Sequence, residues 1–407
     1  MKFHTAKHCN WIIRIVQLGI AFDLIWHNRL RLDSRDLEIL KTIPQDSGLI
    51  LTANHADETD FKVSIELSRR SQRKFFYMVN SEAFEEYHGI AGWWLQRLGG
   101  FSVEKGGADQ TARRYAVNIV KERDTALVIF PEGDIYYLND LVQPFKTGAV
   151  HMGLQAVSEA QETPSDWTVY LLPVAIKYRY RKKIESILNK RIRKMERRLF
   201  KRIRYLTFQG QLTRIMAKLL KRQELFANIQ KHYQKLTSLK ERLRETQVAV
   251  LSKVESKYPQ ARIDPKMQLI DRTQKMIFFL REQLNQRKLF SSETRLQLKN
   301  DLKKLKVVIQ MAGWQPQYTD LDPSEERLAE TVMNLEREVF GKKRSRPLGN
   351  RYVFVRIGEP VDLGKYVESY KKNPSSISHR IAEELRDKIQ SLIEKIPPPV
   401  AMKRNSS

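Results

Sequence analysis

The chain has 407 residues with 41% hydrophobic and 9% aromatic content, enough apolar surface for one large core or two and too much for general disorder. Its formal charge is +26, from 73 Lys plus Arg against 47 Asp plus Glu. The single cysteine, Cys9, excludes an intrachain disulfide and any multi-cysteine metal centre, and a reducing compartment is the simplest setting for it.

The excess charge is local. Residues 177–306 hold 37 basic and 11 acidic side chains, which accounts for the whole +26 and leaves the rest of the chain balanced.

Residues 11–26 are apolar but fall short of the ~20 residues that span a bilayer, and they include Arg14 and Asp23. No small-residue cleavage site follows a short apolar core, so the stretch does not read as a signal peptide. It is expected as a helix that lies in a membrane interface or caps the active-site face, with Trp11 and Trp26 suited to the headgroup boundary. Packing on the domain core is the alternative.

A helix at 35–41 leads through Pro44 and Gly48 into a short buried strand, 49–54, that ends at Asn54 and His55. A polar turn follows, then an amphipathic helix from Asp60 to Arg70. In open α/β sheets ligands bind beyond the carboxyl ends of strands. His55, with a carboxylate at Asp60 five positions on, has the make-up of a general base there. A carboxylate accepting from one ring nitrogen leaves the other free to take a proton, and it stabilises the imidazolium that forms. The competing reading is an ordinary strand-end histidine and an N-capping aspartate.

Further strands are expected at 75–79, 101–103, 125–130 and 169–178, with helices at 84–98, 109–123 and 148–160. The helix 84–98 should stop at Gly99-Gly100, with Ile90, Trp93, Trp94 and Leu98 on its core face. If the strands are parallel, 125–130 delivers Pro131, Glu132 and Gly133 to the same sheet edge as His55. Strands alternating with helices in this way predict an α/β fold, a central sheet flanked by helices.

From Arg181 no strand signal appears for about 165 residues, and apolar residues recur at three and four spacing. Leu225, Ile229, Leu236, Leu239, Leu243 and Val250 fit one heptad seam; Ile277, Leu280, Leu284, Leu298, Leu302, Leu305 and Ile309 fit another. Pro259 and Pro265 break the helix between them. The segment is thus expected as a long, basic, all-α antiparallel helical hairpin inserted into the α/β fold. Strand chemistry returns at 351–361, and 378–396 reads as a closing amphipathic helix. The organisation is an N-terminal interfacial or capping region at 1–44, an α/β core at 45–180, the basic insertion at 181–345, the returning strand and helix at 346–396, and a tail at 397–407 too polar and proline-rich to order itself.

Four separated segments carry a family resemblance. Asn54-His55-Ala-Asp-Glu-Thr-Asp60, Gly99-Gly-Phe-Ser-Val-Glu-Lys105, Phe130-Pro-Glu-Gly133 and Leu172-Pro-Val-Ala-Ile176 resemble, in order, the blocks of the glycerolipid acyltransferase family typified by 1-acylglycerol-3-phosphate acyltransferase, the first as its H-x4-D block. The resemblance covers about residues 45 to 180. It implies transfer of a fatty acyl group from a thioester, acyl-CoA or acyl-ACP (acyl carrier protein), to a glycerolipid hydroxyl in phospholipid biosynthesis, with 1-acylglycerol-3-phosphate the first-choice acceptor and no bound cofactor or metal. His55 would deprotonate the hydroxyl and Asp60 would orient His55. A thiolate leaves well, so no serine or cysteine nucleophile is needed. Backbone N–H groups near 130–133 would hold the oxyanion.

On the substrate side the same resemblance implicates Asn54, Lys105, Glu132, Gly133 and Lys146, with Asn54 and Glu132 holding loops. Trp93 and Trp94 could also wall an acyl-chain pocket. Two positions depart from the family pattern: Lys105 stands where arginine is usual, and Asp134-Ile135 where Thr-Arg is usual. Arg and Lys are not interchangeable at a bidentate phosphate contact, so Lys146 is the candidate to supply the missing charge. The basic insertion points to an anionic membrane surface, with an acidic acyl carrier protein or a merely solvated face as other readings and nucleic acid not expected. The implied location is cytoplasmic, peripheral or monotopic on the cytoplasmic face of a membrane. Other acceptors, glycerol-3-phosphate or a lysophospholipid, and a non-catalytic membrane-binding scaffold are the alternative functions.

Overall fold

The apolar runs at 48–53, 125–129 and 169–176 are buried on both sides, as the central strands of a parallel sheet must be. The computed structural model describes residues 3–71, 73–107, 109–160, 167–202, 206–229, 238–286, 290–320 and 324–396. The tail at 397–407 lies outside them.

The chain divides into two units. The sheet unit comprises residues 3–103, 110–182 and those from 349 onward. Its strands are β1 Asn28–Leu32, β2 Gly48–Ala53, β3 Lys74–Asn80, β4 Gly100–Val103, β5 Thr125–Ile129, β6 Val169–Tyr180, β7 Arg351–Ile357 and β8 Val361–Asp362. They lie in the order β1-β7-β6-β2-β5-β3-β4, with β8 on β6. From β6 to β4 every pairing is parallel; β7 and β8 run antiparallel to β6, and β1 runs with β7. Thr52 sits beside Ile129 in the β2–β5 register, so His55 and the 130–133 turn leave the sheet at one edge, as parallel strands require.

Alternate strand residues feed two cores. Ile50, Leu127 and Leu171 meet Ala116, Val120, Leu154 and Leu385 on one face; Leu49, Leu51, Val128 and Leu172 meet Val63, Leu67 and Leu24 on the other. β1 is absent from the sequence expectations. It is five residues long, and its alternation of Arg29 and Arg31 with Leu30 and Leu32 is the only signal it carries.

Two expectations for the sheet unit need correction. The helix at 84–98 is broken into Ser81–Phe84, a 3-10 turn Glu86–Gly89 and Ile90–Arg97. Tyr87, His88 and Gly89 all have left-handed backbone (φ 52°, 58° and 89°), which no right-handed helix can carry through. The face placed in the core is also largely open: Ile90 is 62% exposed, and Trp93 and Trp94 are more than two-fifths exposed.

The helix Asn10–Trp26 is apolar on two faces. Ile12, Ile20 and Leu24 are buried, whereas Trp11, Ile15, Leu18, Phe22, Ile25 and Trp26 are each more than half exposed. One face packs on the sheet unit and the other meets solvent. Among the described residues no helix is long and apolar enough to cross a membrane.

The helical unit comprises residues 183–348 with the short segment 104–109. In place of one long hairpin it holds seven described helices: Glu185–Leu199, Phe208–Ala227, Leu239–Glu255, Leu269–Asn285, Ser292–Met311, Pro316–Asp320 and Glu325–Phe340. Four of the helix starts carry side-chain caps. Thr207, Ser238, Ser291 and Ser324 each accept from the N–H of the third helical residue, and Ser238 with Glu241 forms a full capping box. Left-handed Asn228 and Gly341 end two of the helices. The break at Pro259 falls where the prolines predict it. Leu251, Val254, Ile277, Leu280, Leu298 and Leu305 share one core, but Leu225 is 68% exposed and Leu236 lies outside the described residues.

Candidate active site

β2 ends at Ala53, and the Asn54 side chain continues its ladder. Asn54 Nδ2 donates to Ile176 O at 2.9 Å, and its Oδ1 accepts from Ile176 N at 2.8 Å. Asn139 does the same two residues further along β6, donating to Tyr178 O at 2.9 Å and accepting from Tyr178 N at 2.6 Å. Both amides act as substitute strand neighbours, satisfying buried backbone groups where the main chain leaves the sheet. Asn54 therefore fixes the start of the His55 turn.

His55 Nδ1 lies 2.9 Å from Asp60 Oδ2. The ring is stacked on Phe130, with centroids 4.2 Å apart and 17° between planes. His55 is 19% exposed and Asp60 fully buried. A carboxylate on the Nδ1 side requires Nδ1–H, so the lone pair is on Nε2, which has no protein partner among the described residues.

Asp60 begins the helix Asp60–Ser71, yet it does not cap it. Its oxygens accept from His55, from the N–H of Asp57 at 2.9 Å and from the Tyr178 hydroxyl at 2.5 Å. Burial pushes the Asp60 carboxyl above its ordinary range, and the hydrogen bond and charge of His55 oppose that shift.

The turn after β5 braces the other side. Glu132 accepts from the N–H of His55 at 2.7 Å through one oxygen and from the N–H of Gln143 at 3.2 Å through the other. It ties two loops together at the sheet edge. Gly133 has φ 79°, and a Cβ there would sit 3.0 Å from Lys146 Cε, so glycine both permits the turn and clears space for that lysine. The N–H of Lys146 donates to Pro131 O at 2.9 Å. Glu132, Gly133 and Lys146 are thus assembled around one turn beside His55. Lys105 lies in the 104–109 segment, which groups with the helical unit.

Burial pushes Glu132 from 4.5 up to about 8, against its two backbone hydrogen bonds. A carboxyl raised on folding contributes stability that is complete below its unfolded value and is lost as pH rises through the folded one. The stability advantage of wild type over Glu132→Gln is therefore expected to be largest below pH 4.5 and to shrink steadily towards pH 8. Denaturant unfolding of both proteins at pH 4, 6 and 8 reads this directly, and a gap that grows with pH contradicts it.

Residues that the sequence did not single out complete the surroundings. Arg351, at the start of β7, donates to both oxygens of Asp57 (2.9 and 3.1 Å) and to Thr59 Oγ1 (3.0 Å). Burial works against the Asp57 charge, but the Arg351 guanidinium outweighs it and holds the carboxyl at about 2. The only sequence signal for Tyr178 is a hydroxyl on a buried strand, which must find a partner. Arg351 has none. Among the described residues no cluster of three His, Cys, Asp or Glu side chains could hold a metal.

A family model described as Acyltransferase covers residues 34–177. Over 89 residues the chain is 30% identical to a 1-acyl-sn-glycerol-3-phosphate acyltransferase of Streptococcus pneumoniae (strain ATCC BAA-255 / R6), a match that takes in 22% of this chain and 32% of that one. The chain thus spans about a third of the length of the curated relative it matches. The family match contains His55, Asp60, Glu132, Gly133 and Lys146; Tyr178 and Arg351 lie beyond it.

Proposed function

Residues 34–177 are an acyltransferase domain of the glycerolipid acyltransferase family, and from that premise we propose that the protein moves a fatty acyl group from an acyl thioester to a glycerolipid hydroxyl. The observation that carries the proposal is the His55–Asp60 pair, hydrogen-bonded at 2.9 Å at the carboxyl edge of the sheet with no partner for Nε2 among the described residues. Nε2 takes the hydroxyl proton as the oxygen attacks the thioester carbonyl carbon. The tetrahedral intermediate collapses by breaking the C–S bond, and the imidazolium returns its proton to the departing thiolate. Asp60 stabilises the imidazolium between these steps.

The acceptor we favour is 1-acylglycerol-3-phosphate. The relative's name supports it, as does Lys146 beside the 130–133 turn, which puts a cation where Asp134-Ile135 replaces the family's Thr-Arg. The donor is acyl-CoA or acyl-ACP. Acyl transfer to lysophosphatidate, glycerol-3-phosphate and lysophospholipids, from both donors, tests the proposal against His55→Ala. Lysophosphatidate preference lost in the mutant supports it. Activity confined to another acceptor overturns the acceptor, and no activity in wild type overturns the enzyme in favour of a binding scaffold.

The protein works, in the same proposal, as a peripheral or monotopic enzyme on the cytoplasmic face of a membrane. The exposed stripe Trp11, Ile15, Leu18, Phe22, Ile25 and Trp26 supports this, because a helix with an open apolar face and flanking tryptophans lies in an interface without crossing it. The basic helical unit adds attraction to anionic headgroups. Leu18→Glu is expected to cut binding to phosphatidylglycerol vesicles about 10-fold, roughly the loss of one buried leucine. Binding of the wild type should persist in part at 1 M salt, which screens headgroup attraction but not apolar insertion. Full release by salt, with no effect of the mutation, assigns binding to charge alone.

A further inference from the structure

Asp60 is held by more than its histidine. Oδ2 takes the N–H of Asp57 alongside His55 Nδ1, and Oδ1 takes the Tyr178 hydroxyl. Tyr178 is itself fixed on three sides: its backbone is paired with the Asn139 amide, its ring is buried, and the Arg351 guanidinium lies 4.2 Å from the ring centroid. Arg351 is 3% exposed and spends its fork on Asp57 and Thr59, while Nε donates to Asn28 Oδ1 at 3.1 Å. The 55–60 turn is thus gripped from β6 and from β7, and β7 is reached by the chain only after the helical insertion.

Taking His55 as the base, as proposed above, we propose that Tyr178 and Arg351 are positioning residues for the His55–Asp60 pair. Tyr178 holds the Asp60 carboxylate ionised and oriented so that Nε2 stays available. Arg351 anchors Asp57, whose N–H reaches Asp60, and packs Tyr178 in place. The catalytic pair is in this way completed by two residues outside the matched acyltransferase segment.

The charges around Asp60 make the dependence physical. Asp57 faces it from the 55–60 turn; its charge acts against Asp60 ionisation while its N–H favours it. Glu132 faces it from the turn after β5, where burial, with the Asp60 charge adding to it, pushes the Glu132 carboxyl itself up to about 8. Arg351 offsets Asp57, and Tyr180, next to it in the β6–β7 register, acts on Arg351. A buried carboxylate among such neighbours stays ionised only if donors are aimed at it, and among the described residues Tyr178 is the one hydroxyl that does so. Were Asp60 to gain a proton, it would donate to Nδ1. The imidazole would then carry its proton on Nε2, and the base would be lost.

The test uses the 407-residue chain as Tyr178→Phe and Arg351→Lys, with two readouts. The first is the pH profile of acyl transfer; the second is the 15N spectrum of the His55 ring, identified among the eight histidines by its loss in His55→Gln. In Tyr178→Phe we expect kcat to fall about 10-fold with KM within about 2-fold, and the acid limb of kcat/KM to move up by about one pH unit. The His55 nitrogens should shift towards the Nε2–H form. Arg351→Lys, which keeps the charge but loses the paired hydrogen bonds, should move both readouts the same way. A folded Tyr178→Phe whose acid limb and ring nitrogens are those of wild type overturns the proposal. If wild type transfers no acyl group while the ring nitrogens move as expected, the positioning stands and the acyltransferase proposal falls; activity with unmoved nitrogens gives the reverse.

Discussion

Asp60→Asn is expected to lower acyl-transfer turnover by about 10²–10⁴-fold, the range a positioned general base supplies. The geometry specifies how. The N–H of Asp57 points at the same oxygen that faces His55, so an asparagine must place its carbonyl oxygen there and its amide nitrogen towards Tyr178. His55 then keeps the same tautomer. What is lost is the negative charge that stabilises the imidazolium as it forms. The acid limb of the pH profile should accordingly move down in Asp60→Asn, opposite to its movement in Tyr178→Phe. His55→Ala should lose at least as much activity and have no acid limb of its own to move. Steady-state kinetics on the three variants, with circular dichroism to confirm folding, reads both the size and the sign. Near wild-type turnover in Asp60→Asn removes the pair from the mechanism.

The His55–Asp60 pair was legible in the sequence because it is local: a buried strand, a turn and a helix start within twelve residues, 49–60. Glu132 and Gly133 were legible because a second hydrophobic strand carries its turn to the same sheet edge once the strands are parallel, whereas Lys146 was reached only through the family resemblance, as the candidate for a missing charge. Arg351 could not be read that way. It lies 294 residues from Asp57, beyond a unit of separate fold, and an arginine opening a strand looks like any edge residue until β7 is seen to run antiparallel against β6. The helical unit failed differently. Heptad spacing reports which residues are apolar but not where a helix stops, so two seams read as one hairpin. The starts of the separate helices were nonetheless written in Ser238-Leu-Lys-Glu241, a capping box, and in the serines at 291 and 324. The tryptophans at 93 and 94 show the converse limit. Helical spacing of apolar residues marks a face, and only the packing around it decides whether that face is covered.

Arg351→Met should destabilise the protein by about 3–5 kcal/mol at pH 7, the usual result of stranding one partner of a buried ion pair. Asp57 is 4% exposed and Arg351 3%, so the methionine leaves a carboxylate with no compensating charge and little water. The pH dependence fixes the cause. Asp57 is held at about 2 against an ordinary 3.8, and a depressed carboxyl contributes stability above its unfolded value that is lost as pH falls through the folded one. The gap between wild type and variant should therefore be full at pH 5 and above and narrow as pH falls from about 4 to about 2, because a stranded Asp57 is relieved by taking up a proton. Removing both partners, Arg351→Met with Asp57→Asn, should recover part of the loss, since no unpaired charge remains. Guanidinium unfolding at pH 7 and pH 3 on the single and double variants separates the two terms. A loss that is the same at both pH values and is not relieved in the double variant assigns Arg351 to packing over Tyr178 instead of charge, and the grip on the 55–60 turn would then be steric.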